Sequence, residues 1–414
     1  MTRVVITGMG AVTSMGNDSQ SFIKSILDSK LGISKIEKFD ATNTGVSVAG
    51  EIKDFDATKR LEKKQAKRMD LFSQYALYSA IEAMEQSGLT EDTIDPERLG
   101  VIYGSGIGGL TTIQEQVTKM NNKGPKRVSP MFVPNAIINM AAGNISMHFN
   151  AKNTSQAIVT ACASGTNAIG NAFELIKQNK ADAIITGGSE ASVNEIGIAG
   201  FASLTALSTA EDPAKASMPF DKNRRGFVMG EGAGTLVLES LEHAQARGAN
   251  ILGEVVGYGS TSDAFHITQP DPEGRGAIRA MKEAIDEAGI SADDVDYINA
   301  HGTATGANDS GESKAIASLF GTNDHVRTSS TKGMTGHLLG AAGAIEAVAT
   351  VGSLLNSQMP ENVGVYEQDD ECQIELVNKE NAKADITYAI SNSFGFGGHN
   401  AVVAFKKMEL IANE

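Results

Sequence analysis

The sequence predicts an α/β fold in which mostly parallel strands are covered by helices on both faces. Short β-branched runs recur along the whole chain, and longer segments with helical spacing lie between them. The short runs are continuously apolar, which is typical of strands that are buried on both faces of a sheet. Alternation of such strands with helices indicates a layered α/β architecture.

The predicted strands are short apolar runs, each bounded by small or polar residues. In chain order they cover residues 4–7, 101–103, 157–160, 183–186, 236–238, 254–258, 297–300, 326–329, 388–391 and 401–405. The predicted helices carry apolar residues at helical spacing. They cover residues 71–86, 167–177, 277–288, 312–319 and 338–355.

Two parts of the chain resemble each other, which predicts two similar halves at 1–250 and 251–414. The run Val-Val-Ile-Thr-Gly-Met-Gly at 4–10 resembles Val-Val-Gly-Tyr-Gly at 255–259. A strand followed by residues 160–163 and a helix of small residues resembles a later strand followed by residues 330–332 and another such helix. No low-complexity segment or long linker separates the halves, so we expect them to pack as one body.

The composition is that of a globular protein with a sizeable core. The 414 residues are 41% hydrophobic, which excludes a disordered chain, and the net charge is −15. A chain this acidic is not expected to bind nucleic acid, which requires a basic surface. Two cysteines do not make a disulfide framework, and neither a signal peptide nor an apolar run of membrane-spanning length is visible. We therefore expect a soluble, cytoplasmic protein with no membrane partner.

The Gly8-Met9-Gly10 motif follows a predicted strand and invites comparison with a dinucleotide-binding loop. That fingerprint requires Gly or Ala at its sixth position, where this chain has Thr13, and an acidic residue about 20 residues later, which is missing. We therefore expect a tight turn after the first strand.

Cys162 is the first candidate for chemistry, because a predicted strand delivers it to the start of a helix. Its neighbours Ala161, Ala163, Ser164 and Gly165 are small, which allows the sharp turn that exposes a nucleophile in other α/β enzymes. The positive end of the helix dipole is expected to lower the pKa of the thiol toward neutrality. The alternative is a buried core cysteine, which is the commoner fate of a free thiol.

Two histidines lie near the ends of predicted strands. His301 follows the strand at 297–300, and His337 lies between the strand at 326–329 and a helix. The carboxyl ends of strands are where α/β folds place ligands. The alternative for either ring is a hydrogen bond within an ordinary turn.

Glu346 is the only charged residue between positions 338 and 355, so its helix must be buried nearly all round. A buried carboxylate needs a partner; Lys332 just before the helix is the obvious cation, and a bound metal ion is a second possibility. Asp309 and Glu312 add carboxylates beside the His301 loop. For at least one of these two we expect an ordinary role as a helix cap or in a solvated first turn.

Three further segments each have a functional and an ordinary interpretation. Residues 395–398 read Gly-Phe-Gly-Gly, which forms either a hairpin or a place where a backbone N–H approaches an oxyanion. Residues 59–68 contain six basic residues and one acidic residue, which is either a solvated helix face or a landing site for an acidic partner; Lys126 and Arg127 form a second basic spot. Cys372 follows three acidic residues, whose charges disfavour a thiolate, so we expect it to be structural.

Four motifs, in this order, resemble those of the decarboxylating β-ketoacyl-ACP synthases, condensing enzymes of the thiolase superfamily. They read Thr-Ala-Cys-Ala-Ser-Gly at 160–165, His-Gly-Thr-Ala-Thr at 301–305, Lys-Gly-Met-Thr-Gly-His at 332–337 and Gly-Phe-Gly-Gly at 395–398. The resemblance runs from residue 4 to residue 405, and among the subtypes the chain looks most like synthase II of bacterial fatty acid synthesis. It implies a thiolase-like fold, with two duplicated halves in a five-layer αβαβα sandwich, and a homodimer.

The resemblance also implies roles for individual residues. In the catalytic set, Cys162 would be the nucleophile, and His301 and His337 would assist decarboxylation. Lys332 and Glu346 would support the two histidines. Phe396 would act as a gate, and its backbone N–H would form the oxyanion hole together with that of Cys162. The residues that would contact substrate are Thr303, Thr305, Ile107, Phe132 and Phe201. Acyl-ACP and malonyl-ACP would dock on Lys64, Lys67, Arg68, Lys126 and Arg127. A structural monovalent cation would be held by Asn299, Glu346, Ser391 and Asn392. No other cofactor is implied.

The chain departs from the family pattern at Ala304 and Gly306, where Ser and Pro are usual, and at His399, where Thr is common. Gly306 is expected to loosen the loop that carries Thr305, since Pro would fix it. A thiolase would need a second catalytic cysteine, an initiating synthase would have Asn in place of His337, and a chain-length factor would lack the nucleophile. A carrier-binding scaffold without catalysis and a nucleotide-dependent oxidoreductase are the alternatives from other classes.

Overall fold

Ten of the twelve strands form one large sheet, and the other two form a small ribbon; the computed structural model describes residues 2–321 and 325–408. The strands are β1 Val4–Val12, β2 Ser34–Lys35, β3 Val48–Ala49, β4 Leu99–Gly104, β5 Ser155–Ile158, β6 Ala183–Glu190, β7 Gly232–Ser240, β8 Gly253–Ser262, β9 Tyr297–Asn299, β10 Arg327–Ser329, β11 Tyr388–Gly395 and β12 His399–Lys406.

The α-helices in the described residues are α1 Ser19–Leu27, α2 Lys63–Ala66, α3 Leu71–Ser87, α4 Leu110–Lys123, α5 Phe132–Ala136, α6 Met140–His148, α7 Ser164–Lys177, α8 Glu195–Ser203, α9 Leu241–Ala246, α10 Arg275–Ala288, α11 Gly306–Phe320, α12 Lys332–Thr335 and α13 Ala342–Asn356. Each strand and helix predicted from the sequence corresponds to one of these elements.

The large sheet is mixed, so the prediction of mostly parallel strands is wrong. Pairs β4–β5, β4–β6, β9–β10 and β9–β11 are parallel, and the other five pairs are antiparallel. Continuously apolar runs report that both faces of a strand are covered, whichever way the strand runs, and so they did not reveal its direction.

The two halves of the sheet repeat one topology. The order is β10-β9-β11-β12-β8 in one half and β5-β4-β6-β7-β1 in the other. When the five strands of each half are numbered in the order in which they occur along the chain, both halves have the spatial order 3-2-4-5-1. The halves join where β1 pairs with β8 through Val4 and Val255. This confirms the expected duplication, while the boundary at residue 250 stays a prediction.

Five layers follow from the helix contacts. Helices α7 and α13 pack against each other and against strands of both halves, so they form the central layer. Helix α3, with α6 beside it, covers the outer face of the first half, and α10, with α11 beside it, covers that of the second. The central helices are almost entirely buried, as expected for the charge-poor sequences that precede Glu174 and flank Glu346.

Gly8 and Gly10 lie inside β1, so the predicted tight turn at these residues is wrong. A Cβ atom on Gly10 would lie 1.9 Å from the carbonyl oxygen of Ser79 in α3. A Cβ atom on Gly259 of β8 would likewise lie 1.9 Å from the carbonyl oxygen of Ala280 in α10. The glycines at the two matching positions thus allow strand and helix backbones to touch, which explains the sequence repeat structurally.

The two outer edges of the sheet differ. On β10, Thr328 pairs with Leu376, so a later segment covers that edge. Strand β5 pairs only with β4 within the described residues, and its side chains are exposed or half-buried, contrary to the expectation of a buried strand. Nearby apolar side chains are also exposed: Val159 is 51% exposed and Met147 is 70% exposed. An open, apolar strand edge is a ready template for another chain.

One helical stretch, Leu339–Asn356, is long and apolar enough to cross a membrane by length and composition alone. It contains α13, and 89% of it is buried inside the fold. A core helix passes the same test, and its place in the central layer accounts for its apolar sequence.

Candidate active site

The Cys162 turn has the predicted geometry of a nucleophile elbow. Ala161 has a φ of +51°, an unusual value for a residue with a side chain. The Ser164 hydroxyl accepts a hydrogen bond from Thr160 N at 2.9 Å and donates to Ala161 O at 2.6 Å. These bonds hold the cysteine at the entrance to α7, with 9% of its surface exposed. Cys372 is fully buried elsewhere in the core.

The expected drop in the pKa of the Cys162 thiol is wrong for this state of the protein. Burial raises the pKa of the thiol to about 12, although Lys332 and nearby N–H groups act in the opposite direction. The helix dipole acts on a site that is largely closed to water, and removal of water disfavours the thiolate more strongly than the dipole favours it.

The loop that carries His301 is held by Glu312, one of the two carboxylates of which at least one is expected from the sequence to have an ordinary role at a helix start. Glu312 accepts hydrogen bonds from the backbone N–H groups of His301 and Gly302, both at 2.8 Å. Glu312 and Asp309 are both buried, so neither lies in a solvated turn, and Asp309 accepts from Phe220 N at 2.9 Å. Burial raises the pKa of Glu312 to about 7.

His337 has one ring nitrogen committed to the backbone. Its Nδ1 accepts a hydrogen bond from Leu339 N at 3.3 Å, so in the neutral ring the proton must be on Nε2. Burial lowers the pKa of His301 and of His337 well below the usual value, and the charge of Lys332 adds to the effect. Both rings are therefore neutral at pH 7, and His337 is a hydrogen-bond donor through Nε2.

Cys162, His301 and His337 come together as the sequence motifs predict. The sulfur and one nitrogen of each ring lie within 4.8 Å of one another, and the two imidazole centroids are 5.3 Å apart. Such a set can hold Zn²⁺ in other proteins. Here the Leu339 N–H occupies His337 Nδ1, which leaves the proton on Nε2 and opposes metal binding through that nitrogen.

The three residues face a cavity of about 390 Å³. Its lining includes Thr303 and Thr305, whose hydroxyls are 2.9 Å apart, and the rings of Phe201 and Phe396, whose centroids are 6.3 Å apart. Ile107 and Phe132, also predicted to contact substrate, are not among the lining residues; Ile107 packs in the same apolar cluster as Phe201.

The Gly-Phe-Gly-Gly segment is a hairpin and also faces the nucleophile, so both of its interpretations apply. Strand β11 ends at Gly395, β12 begins at His399, and Gly397 has a φ of +86°. The backbone N–H groups of Phe396 and of Cys162 both act to lower the pKa of the thiol, which places them near the sulfur. This is the position of the predicted oxyanion hole. The His399 imidazole lies against Gly397, on the hairpin itself.

Lys332 and Glu346 form the predicted buried ion pair. The Lys332 ammonium donates to Glu346 Oε1, and each side chain is 1% exposed. Burial raises the pKa of Glu346, and the Lys332 charge opposes this. Lys332 also lies close enough to lower the pKa values of both histidines and of Cys162, so its charge acts on all three catalytic side chains.

Three of the four residues predicted to hold a cation lie on the neighbouring elements β9, β11 and α13. Asn299 of β9 pairs with Ser391 of β11, and both face the central layer that carries Glu346. The Asn299 amide, Ser391 Oγ and Glu346 Oε2 are buried without a partner in the described residues. The Asn392 side chain donates through Nδ2 to Glu312 Oε1 at 3.1 Å, on the side of His301, and its Oδ1 is buried without a partner in the described residues.

The predicted docking residues are exposed on two separate segments. Lys64, Lys67 and Arg68 lie on and after α2, and Lys126 and Arg127 lie on a short 3-10 turn after α4. Their charges are thus available to a partner of opposite sign.

Sequence reasoning missed two residues that hold the site. Arg224 bonds to the carbonyl oxygens of Thr305 and Gly306, each at 3.1 Å, so the loop that Gly306 was expected to loosen is fixed from outside. Glu190, at the end of β6, is fully buried and accepts from several backbone N–H groups around the cavity. Neither lies in a recognisable motif; the only signal for Glu190 was an acidic residue at the end of an apolar strand.

Comparison with known proteins gives one consistent family. The family model for the β-ketoacyl synthase N-terminal domain matches residues 1–244, and that for the C-terminal domain matches residues 252–366. The chain is 51% identical over 408 residues to a 3-oxoacyl-[acyl-carrier-protein] synthase 2 of Staphylococcus aureus, covering 98% of this chain and 99% of that protein.

Two solved structures are similar over nearly the whole chain. A β-ketoacyl synthase from Burkholderia phymatum has a TM-score of 0.92 at 34% identity, over 99% of this chain and 100% of that one. A type II polyketide ketosynthase, AntDE, solved with its acyl-carrier protein AntF, has a TM-score of 0.90 at 31% identity, over 98% and 100%. With both halves matched by the family models and half of the residues identical to a curated relative over nearly the full length, the chain belongs to the β-ketoacyl synthase family.

Proposed function

We propose that this protein is a 3-oxoacyl-ACP synthase of type II fatty acid synthesis, an acyltransferase that extends an acyl chain by two carbons. The observation that carries the proposal is the meeting of Cys162, two neutral histidines and two convergent N–H groups at one cavity. Relatives named 3-oxoacyl-[acyl-carrier-protein] synthase 2, at 51% identity over nearly the full chain, support the same activity.

The first half-reaction is transfer of an acyl group to Cys162. The sulfur attacks the thioester carbonyl of acyl-ACP, and the tetrahedral oxyanion accepts hydrogen bonds from the N–H groups of Cys162 and Phe396. Collapse breaks the bond to the carrier's sulfur, which takes up the proton that the Cys162 thiol gave up. Since burial strongly disfavours the free thiolate, deprotonation is coupled to attack.

The second half-reaction begins when malonyl-ACP enters the cavity. Loss of carbon dioxide leaves an enolate, whose oxygen is stabilised by the donor Nε2–H of His337 and by a neutral His301. The enolate carbon attacks the acyl-Cys162 thioester, the carbon–sulfur bond breaks, and the sulfur takes up a proton. Neutral imidazoles suit this step because they donate a hydrogen bond without protonating the carbanion.

The rival functions require features that the site does not offer. A thiolase would use a second cysteine, but Cys372 is not among the cavity-lining residues. A carrier-binding scaffold without catalysis would not require the turn that presents Cys162 and that Ser164 holds with two hydrogen bonds. An oxidoreductase with a nucleotide on residues 8–10 is excluded by the burial of those glycines against α3.

The proposal is tested by intact mass spectrometry. The purified protein is mixed with a long-chain acyl-ACP, denatured and weighed, with the Cys162→Ser variant as control. We expect an acyl adduct only in the unchanged protein, and its conversion by malonyl-ACP to a 3-ketoacyl-ACP two carbons longer. Carrier binding without an adduct would favour the scaffold instead.

We further propose that acidic acyl carrier protein docks on the basic segment around α2 and on Lys126 and Arg127. Exposed charges of one sign in a chain of net charge −15 support this, and a ketosynthase relative has been solved with its carrier protein. The Lys64→Glu and Lys67→Glu changes should raise KM for the carrier substrate several-fold at low salt. Lys180→Glu, at an exposed lysine outside both segments, is the matched control, and an equal effect there would refute the assignment.

A homodimer, a monovalent cation and a cytoplasmic location belong to the same proposal. The open β5 edge supports the dimer. The unpartnered atoms of Asn299, Ser391 and Glu346 suit a cation, which would offset the carboxylate charge. We expect KCl to raise the thermal midpoint more than N-methylglucamine chloride at equal ionic strength; the same rise in an Asn299→Ala variant would argue against the site.

A further inference from the structure

Glu190 is a buried carboxylate that the two half-reactions do not use. It ends β6, has no measurable exposure and forms no ion pair within the described residues. Its oxygens instead accept hydrogen bonds from Gly106 N at 2.8 Å, Gly340 N at 3.0 Å and Ile107 N at 3.1 Å. A carboxylate kept in the core by backbone N–H groups has a specific geometric task, because every one of those bonds offsets the cost of its burial.

The carboxylate joins two segments from different halves of the molecule. Gly106 and Ile107 belong to the loop after β4, whereas Gly340 lies in the turn after His337. A Cβ atom on Gly340 would come within 2.7 Å of Glu190 Oε2 and 2.2 Å of Gly106 N. The glycine is thus required for the two segments to meet on the carboxylate.

The turn that Glu190 holds is the one that orients His337. Leu339 N donates to His337 Nδ1, and the next N–H along the chain, that of Gly340, donates to Glu190. Fixing the second of two consecutive N–H groups fixes the peptide plane beside the first. Loss of the Glu190 contact therefore frees the Leu339 N–H that sets the tautomer and direction of the His337 ring.

We propose that Glu190 is a positioning residue for the decarboxylating half-reaction, acting through the Leu339–Gly340 backbone on His337. The inference rests on the proposed function and names a residue that serves one half of it. The N–H groups of Cys162 and Phe396, which serve acyl transfer, are not among the hydrogen bonds of Glu190. Glu190 reaches the nucleophile only through its charge, which raises the pKa of the Cys162 thiol, so loss of the carboxylate should not slow acyl transfer.

The test separates the two half-reactions in the Glu190→Gln variant. The amide keeps the shape but turns an N–H₂ toward N–H donors, so at least one backbone contact is lost. We expect acylation of Cys162 to be at least as fast as in the unchanged protein, because the variant also removes a charge that raises the pKa of the thiol. Release of labelled carbon dioxide from malonyl-ACP by the acylated enzyme should fall by up to about 100-fold, the effect of a misplacement of about 1 Å.

Glu82→Gln is the matched control, since Glu82 is also buried and accepts from backbone N–H groups, those of Ala11 and Ser19, away from the cavity. It should leave both half-reactions unchanged. If Glu190→Gln does not fold, Glu190→Asp keeps the charge but is too short to span both segments, and the same split is expected.

Equal losses in both half-reactions, or none, would overturn the role of Glu190. Absence of acylation in the unchanged protein would instead contradict the proposed function, so the two failures are distinguishable.

Discussion

Cys162, His301 and His337 place three titratable side chains in one buried corner, with Lys332 as their neighbouring cation. Burial favours the neutral form of each, so the thiol stays protonated and each imidazole carries only one proton. The three catalytic side chains are therefore uncharged before substrate arrives, and the buried Lys332–Glu346 ion pair lies beside them.

The neutral histidines predict a dependence of stability on pH. Because the folded pKa of His337 lies below its unfolded value of about 6.5, the unfolded state binds the extra proton as the pH falls below that value, and stability is lost there. As the pH is lowered, the free energy of unfolding of a His337→Gln variant should fall less steeply than that of the unchanged protein. Relative to the unchanged protein, the difference is about 1.4 kcal/mol per pH unit below pH 6.

Chemical unfolding at several pH values checks this, and taking the difference removes the contributions of Glu312, Glu346 and other groups common to both proteins. Parallel pH profiles for the two proteins would contradict a lowered pKa for His337.

The Lys332–Glu346 pair predicts an asymmetry between single and double substitutions. Lys332→Met leaves the Glu346 carboxylate buried without its cation and should cost about 3–5 kcal/mol of stability. Replacing Glu346 by Leu in the same chain removes the stranded charge and should recover much of that loss. Unfolding midpoints of the two variants test this; a double variant less stable than the single one would show that the pair itself is strongly stabilising.

At the residue scale, the sequence revealed groups that carry chemistry but not groups that hold others in place. Cys162 stood out by its small neighbours and Glu346 by its isolation in an apolar helix, because both break a local pattern. Glu190 and Arg224 break no local pattern, since their partners are backbone groups brought near by the fold. The pKa of Cys162 was mispredicted for the same reason: local sequence reports the helix dipole but not the surrounding burial.

At the scale of elements, α11 illustrates how the fold replaces a missing residue. Gly306 is the first residue of this helix, and Thr305 before it has φ −99° and ψ 149°, a conformation that a following proline permits. A Cβ on Gly306 would meet no atom within 4 Å. Arg224 already donates hydrogen bonds to the carbonyl oxygens of Thr305 and Gly306, so this part of the chain is held in place without a proline.

Gly306→Pro should therefore stabilise the protein by about 0.4–1 kcal/mol, because it restricts the unfolded chain without disturbing the folded one. Gly311→Pro, inside the same helix, is the control and should cost about 3 kcal/mol or more. Thermal unfolding of both variants tests the pair. A loss of stability in Gly306→Pro would mean that this N-terminus needs the freedom of glycine.

The ten strands of the large sheet and five of the helices were predictable in their order, and strand direction and exposure were not. Apolar periodicity reports how many faces of an element are covered, and this located β1, β8 and both central helices. It does not report the neighbour of a strand, so the mixed directions were missed. Strand β5 was predicted as buried because its sequence suits burial, but within a single chain its outer edge has no cover.

At the scale of the whole molecule, the contrast between the two sheet edges predicts the assembly. The β10 edge is covered by the segment around Leu376, and the matching β5 edge stays open beside exposed Val159. We expect a dimer of two 43.3 kDa chains with β5 at its interface. A charge at Val159 would be buried without a partner in that dimer.

Val159→Asp should convert the dimer to a monomer in light scattering coupled to gel filtration. Leu355→Asp, at an exposed apolar residue on α13, serves as the control and should leave the dimer intact. A monomeric mass for the unchanged protein would refute the interface.

The pairing of β1 also has a consequence for how the chain is made. Its partners in the large sheet are β7 and β8, which end at Ser240 and Ser262, so β1 has no sheet neighbour until more than 200 further residues have been made. At about 5–20 residues per second, an apolar strand waits for roughly 10–50 seconds beside a growing nascent chain. The first half of the sheet can therefore close only after β7 has been made, and until then the apolar residues of β1 have no strand beside them.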